Sequence, residues 1–166
     1  MKKESGMGHI MLIICVIAII AIIVFAVNFF LNEANKRKEE NIITDMLILQ
    51  GKIKVIAQEN EMNKEENTLV GKQVKENLED EKIKTLLEQN IINQEAEDFE
   101  NYYIINSEDL KQLNLNDDLE DEYYIVNYKN YEIIYSKGIE IEEKTYYTLT
   151  ELKELKEGRP FFEKNG

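Results

Sequence analysis

Hydrophobic positions along this chain change rhythm twice. From Ile10 to Val27 they are continuous, IMLIICVIAIIAIIVFAV, and after Asn28 they resume with Phe29, Phe30 and Leu31. A bilayer core about 30 Å thick is spanned by roughly 20 apolar residues in a helix, so residues 10–31 read as a transmembrane helix. A secretory signal peptide would carry a shorter apolar core of about 7–15 residues and small residues at its cleavage site. The bulky Phe29, Phe30 and Leu31 do not fit that pattern. Beyond the run the rhythm becomes helical. Ile42, Met46, Leu49, Ile53 and Ile56 follow a 4-3-4-3 spacing that puts them on one face, and from Asn32 to Asn60 there is no proline and only Gly51. The pattern predicts one helix from near Met7 to about Glu59, crossing lipid first and continuing as an amphipathic segment over 32–58. A coiled-coil stalk would want the same seam.

Residues 59–98 are rich in Glu, Asn, Lys and Gln, and the stretch ENEMNKEEN has the composition of a polar linker. Within it Leu78, Ile83, Leu86, Leu87, Ile91 and Ile92 predict one or two short helices, with Glu79, Asp80 and Glu81 near a start where negative charge is favoured. The rhythm then becomes that of strands. All nine tyrosines fall between Tyr102 and Tyr147, mixed with Ile and Val. Tyr102 to Ile105 reads as a short strand, and Ser107 as the cap of a brief helix through Leu113. Tyr123–Tyr128 and Tyr131–Tyr135 read as a hairpin around Lys129 and Asn130, with Gly138 ending the second arm. Ile139–Ile141 and Thr145–Leu149 form another around Glu142 to Lys144. A last helix starts at Thr148 and Glu151, which have capping-box spacing, and stops at Gly158 and Pro160. A small sheet with one face to bury and a helix with one apolar stripe complete each other. The expected fold class is therefore α+β, a long N-terminal helix packed on a small antiparallel sheet through Ile42, Met46, Leu49, Ile53 and Ile56, with the head over 99–166. Alternate tyrosines are expected on the packed face and the rest on an outer one.

Charge and chemistry narrow the function classes. The chain has 166 residues, 20 Lys+Arg against 33 Asp+Glu and a net charge of −13, which disfavours nucleic acid as a partner. One Cys and one His exclude an internal disulfide and a His/Cys zinc site within one subunit. No glycine-rich phosphate loop, nucleophile elbow or paired His motif is present, so the reading is of a non-enzyme with no cofactor and no metal. The run from Asn114 to Glu122 is dense in oxygen ligands but lacks the order and central Gly of an EF-hand, and reads as a solvated acidic loop. Cys15 reads as an inert thiol and His9 as an interfacial residue. Lys2 and Lys3 before the apolar run and Lys36, Arg37 and Lys38 after it leave the orientation undecided by charge.

The layout resembles the type IV pilin and type II secretion pseudopilin superfamily, in particular the divergent pilin-like proteins of Gram-positive bacteria. Lys2-Lys3-Glu4-Ser5-Gly6-Met7, a short basic leader over 1–9 before an Ile-rich run, is similar to a prepilin leader. EYYIVNYKNYEIIYSKGI followed by YYTLTEL is similar to the hairpin and closing segment of many such proteins. The resemblance implies cleavage after Gly6 by a prepilin peptidase, Met7 as the new terminus, a cytoplasmic N-terminus and an extracytoplasmic head. It implies a structural subunit of the cell membrane whose partners are the bilayer, other pilin-like subunits and an assembly platform protein. Family members usually have Glu at the fifth mature position, where this chain has Met11; cleavage after Gly8 would put Ile13 there. That departure points to a minor or non-filament role. The other expectation is a single-pass envelope protein whose acidic head binds a protein partner.

Overall fold

Residues 37–62 form a helix in the computed structural model, which describes residues 37–63, 68–116, 119 and 121–158, with side chains in the last helix as far as 155. The chain divides into two compact units, Met1–Asn41 and Ile42–Gly166. The leader, the apolar run 10–31, Gly6 and Met7 lie outside the described residues. In the second unit the helical residues 42–62 form α1.

Among the described residues five strands follow: β1 (Lys72–Gln73), β2 (Tyr102–Ile105), β3 (Tyr124–Asn127), β4 (Ile133–Ile141) and β5 (Lys144–Thr148). They form one sheet in the order β1-β2-β3-β4-β5, every pair antiparallel. Helix α2 (Glu81–Glu88) precedes β2, α3 (Ser107–Gln112) joins β2 to β3, and α4 (Leu149–Gly158) closes the chain. The fold is α+β, as its sequence pattern predicts.

Both faces of the sheet are covered, where one was expected. On the first face α1 packs Met46, Leu49, Ile53 and Ala57 into a cluster with Tyr103, Ile105, Tyr124, Val126 and Ile133, joined by Leu110 of α3 and Leu149 and Leu152 of α4. On the second face Ile83 and Leu86 of α2, with Val74, Ile92 and Phe99, pack against Tyr102, Ile125 and Ile134. Residues 59–98 are thus part of the fold. Residues 59–62 extend α1 by nearly a turn, Leu69 and Val70 pack against the first cluster, β1 pairs with β2 at Lys72↔Ile104, and Val74, Ile83, Leu86 and Ile92 roof the second face. Their polar composition hid this because only one side of each short element is apolar. The tyrosines follow suit: none is exposed, and alternation sends Tyr103 and Tyr124 to one cluster and Tyr102 and Tyr123 to the other.

Local chemistry moves several boundaries. Asn106, not Ser107, caps α3: its side chain accepts from the amides of Glu108 and Asp109 while Asp109 accepts from the Asn106 amide, a complete capping box. The predicted two-residue turn at Lys129 and Asn130 is longer, because the Asn127 side chain accepts from the Lys129 and Asn130 amides at 2.9 and 3.2 Å and ends β3 there. Tyr131 then adopts φ +64° before β4 begins. Gly138 does not end that strand. Its φ of +72° makes an irregularity between Ile134 and Ile139, and β4 continues to Ile141. Glu142 and Glu143, both at positive φ, form the tight turn into β5. Thr148 and Glu151 make the expected reciprocal cap on α4, each side chain accepting from the other's amide at 3.1 Å.

Candidate functional site

Helix α1 carries the chain's candidate working surface, because it has two apolar faces. The inner one holds the sheet. Met46, Leu49 and Ile53 are completely buried, Ala57 is buried, and Ile42 and Ile56 are half-buried against the same cluster. Ala57 was not anticipated, since alanine scarcely registers in a hydrophobic rhythm. Polar contacts fix the helix's rotation on one flank. The Gln50 amide donates to the Tyr131 carbonyl at 2.8 Å and accepts from Lys153 Nζ at 2.8 Å, tying α1 to the β3–β4 turn and to α4. Lys54 Nζ lies 5.7 Å from the centre of the Tyr131 ring. Nothing in the residue types marks Gln50 and Lys54 beforehand; only their positions beside the buried stripe could have drawn attention to them.

The outer face is opposite the sheet, yet it too is apolar. Leu47, Ile48, Val55 and Met62 are 42, 47, 53 and 76% exposed, and a Cβ placed on Gly51 would meet nothing within 4 Å. Beside this face lies a shallow groove of about 520 Å³, bounded by Ile48, Gly51, Lys52 and Val55 and, past the end of α3, by Leu113 and Asn114. A single exposed Leu or Ile is ordinary; several in a row along one helix mark a surface suited to a protein or lipid contact.

The densest polar cluster lies across the sheet, where α2 meets the start of β3. Asp80 caps α2 through the amides of Lys82 and Ile83 and accepts from Tyr123 Oη at 2.7 Å. Lys82 pairs with Glu122 at 2.8 Å, and the Ser136 hydroxyl donates to the same carboxylate while accepting from the Tyr123 amide. Burial by itself would raise both carboxyl pKa values. Hydrogen bonds from Tyr123 and two amides, with the Lys82 charge, outweigh it at Asp80 and hold that group below its usual range. Lys82 and Ser136 do the same for Glu122. Burial, and then the Asp80 hydrogen bond, push the Tyr123 phenol far above its ordinary value. Burial likewise lifts Tyr128 to about 12, although its hydroxyl oxygen accepts from the Val70 amide at 3.0 Å. These groups stay in one protonation state near neutrality, so the cluster works as a latch between α2 and the sheet.

The latch sets a pH dependence. A carboxyl whose folded pKa is depressed stabilises the fold above its unfolded value, about 3.9 for Asp and 4.3 for Glu, and loses that contribution as pH falls through the folded value. Stability is therefore expected to drop from about pH 4 downward. Asp80→Asn, measured in urea titrations between pH 7 and pH 3, should lower stability at pH 7 and flatten the acid slope. An unchanged slope in Asp80→Asn and Glu122→Gln together would show that the latch does not supply it.

The acidic run is only partly solvated: Leu119 is buried and Glu122 belongs to the latch. Among the described residues no group of three or more His, Cys, Asp and Glu side chains is placed to hold a metal ion. Among them, too, no helix is long and apolar enough to cross a membrane, and the run 10–31 lies outside them. The chain matches no protein-family model, no curated protein and no solved structure.

Proposed function

We propose that this chain is a membrane-anchored, pilin-like structural subunit that works by assembling with related subunits of a type IV pilus or type II secretion-type machine, in a minor or non-filament role. The observation that carries the reading is the use made of α1. The helical segment that follows the apolar run 10–31 is the one on which the antiparallel sheet is built, through Met46, Leu49 and Ile53. Anchor and keel are then consecutive parts of one stretch of sequence, an arrangement suited to holding a folded head against a membrane and presenting it to neighbours. Residues 10–31 supply the anchor, the N-terminus is cytoplasmic, and the head is extracytoplasmic. Its partners are the bilayer, the other subunits, the platform protein and a prepilin peptidase acting between Gly6 and Met7.

Met11 at the fifth mature position supports the minor role, because the carboxylate usual there in the family, which would pair with a neighbour's terminal amine, is absent. The same residue favours a second reading, a single-pass envelope protein whose acidic head binds a protein partner and never enters a filament. Mass spectrometry of the membrane-extracted protein from cells with an active prepilin peptidase separates the two. Loss of residues 1–6, leaving Met7 at the terminus, is expected; an intact Met1 overturns the processed-subunit reading. An assembly ATPase and a polytopic platform protein encoded next to this gene would weigh the same way.

A further inference from the structure

The outer face of α1 has an order of its own. Thr44, Ile48, Gly51, Val55, Gln58 and Met62 are spaced 4-3-4-3-4, a second heptad seam diametrically opposite the one that holds the sheet. With Ile48, Val55 and Met62 as the a positions, the d positions are Thr44, Gly51 and Gln58. Gly51 costs an exposed helix about 1 kcal/mol relative to alanine, and no atom near its Cβ position requires the small residue. Close approach of another helix does require it. The small residues Thr44 and Gly51 at d let two backbones come near.

We infer that the outer face of α1 is the contact surface for a second copy of this chain, paired parallel and in register along residues 44–62. The flanking charges fit that partner. In a parallel pair each g residue meets the e residue five positions on in the other helix, which sets Lys54 against Glu59 of the second copy, twice by symmetry. Lys54 and Glu59 are both exposed, and Lys54 is steadied over the Tyr131 ring. One heptad earlier Leu47 meets Lys52, whose aliphatic stem can cover it. The next g position toward the N-terminus is Glu40, opposite Asp45, and adds no attraction. The seam runs about 27 Å, short for a coiled coil, so the pair is weak in dilute solution and favoured where anchoring concentrates the chains. The parallel direction rests on the anchoring reading above, since two chains leaving one membrane point the same way; the seam itself does not.

Disulfide trapping of the full-length chain in intact cells, before any extraction, tests the pairing. In a Cys15→Ser background, Val55→Cys should form a covalent dimer at least about tenfold faster than Glu100→Cys, an exposed control, because pairing raises the local thiol concentration. Ile48→Asp should abolish that advantage. Lys54→Glu should reduce it, and Lys54→Glu with Glu59→Lys should restore it. Equal rates at 55 and 100 overturn the inference, as does faster trapping between Gly51→Cys and Met62→Cys chains, the signature of antiparallel packing. Partition into the membrane pellet is scored separately. Trapping at 55 in a chain that does not pellet keeps the pairing and removes the anchor, whereas pelleting without trapping removes the pairing alone.

Discussion

Replacing Ile53 by aspartate should abolish folding of the C-terminal unit. Ile53 has no solvent exposure and lies between α1 and the sheet, in contact with the cluster that includes Met46, Leu49, Tyr124 and Val126. The substitution forfeits about 1.5–3 kcal/mol of side-chain burial. It also places a carboxylate in a buried apolar cluster, which costs several kcal/mol more or forces the group to protonate. A domain of this size has on the order of 5–15 kcal/mol in hand, so the loss takes most or all of it. Far-UV circular dichroism with urea titration reads the result. The control is two residues away on the same helix: Val55, half exposed on the outer face, should accept aspartate within about 0.5 kcal/mol in the unpaired chain. Equal losses at the two positions would mean that α1 does not sit on the sheet with the face described.

A backbone substitution provides the second large effect. Gly71 precedes β1 with φ +97°, and a Cβ there would stand 2.4 Å from the Ile104 carbonyl oxygen and 2.8 Å from Ile105 Cδ1. Ile104 O belongs to the strand that β1 pairs with, so the neighbour cannot rotate out of the way as a side-chain tip could. Gly71→Ala adds about 1–3 kcal/mol of backbone strain and about 1–3 kcal/mol of overpacking, for a loss of about 2–6 kcal/mol in all. Amide exchange at Ile104 should accelerate with it, because β1 has only two residues and little else to hold it. Gly51→Ala is the opposite case, with open space and helical backbone, and should stabilise the isolated chain by about 0.5–1 kcal/mol. A destabilised Gly51→Ala monomer, or an unaffected Gly71→Ala, would contradict these two environments.

The inner stripe of α1 was readable because five apolar residues repeated a helical period without interruption, and Met46, Leu49 and Ile53 of that set are the ones fully buried. The strands from β2 onward were readable for a similar reason, since tyrosine, mixed there with Ile and Val, occurs only between Tyr102 and Tyr147. What escaped notice lay in long-range relations. Lys72 and Gln73 contain nothing strand-like, and they are a strand only because β2 offers them an edge. Asn106 beat Ser107 to the cap because Asp109, three residues on, could answer it. Gln50 became a hinge point only when the β3–β4 turn and α4 arrived on either side of it.

Order of residues alone determined the elements of this protein: an apolar run, an amphipathic helix after it, hairpins rich in tyrosine and a capped closing helix. Period, capping and turn chemistry act over a few residues, and a local pattern is enough to express them. Tertiary structure decided which of the two heptad seams on α1 goes inside, and it recruited a polar middle segment to cover the sheet's far face. Both seams satisfy the same local rule, so the choice between them belongs to the sheet. Its first face offers enough apolar area, with Gln50 and Lys54 locking the rotation, to take one seam and leave the other facing outward.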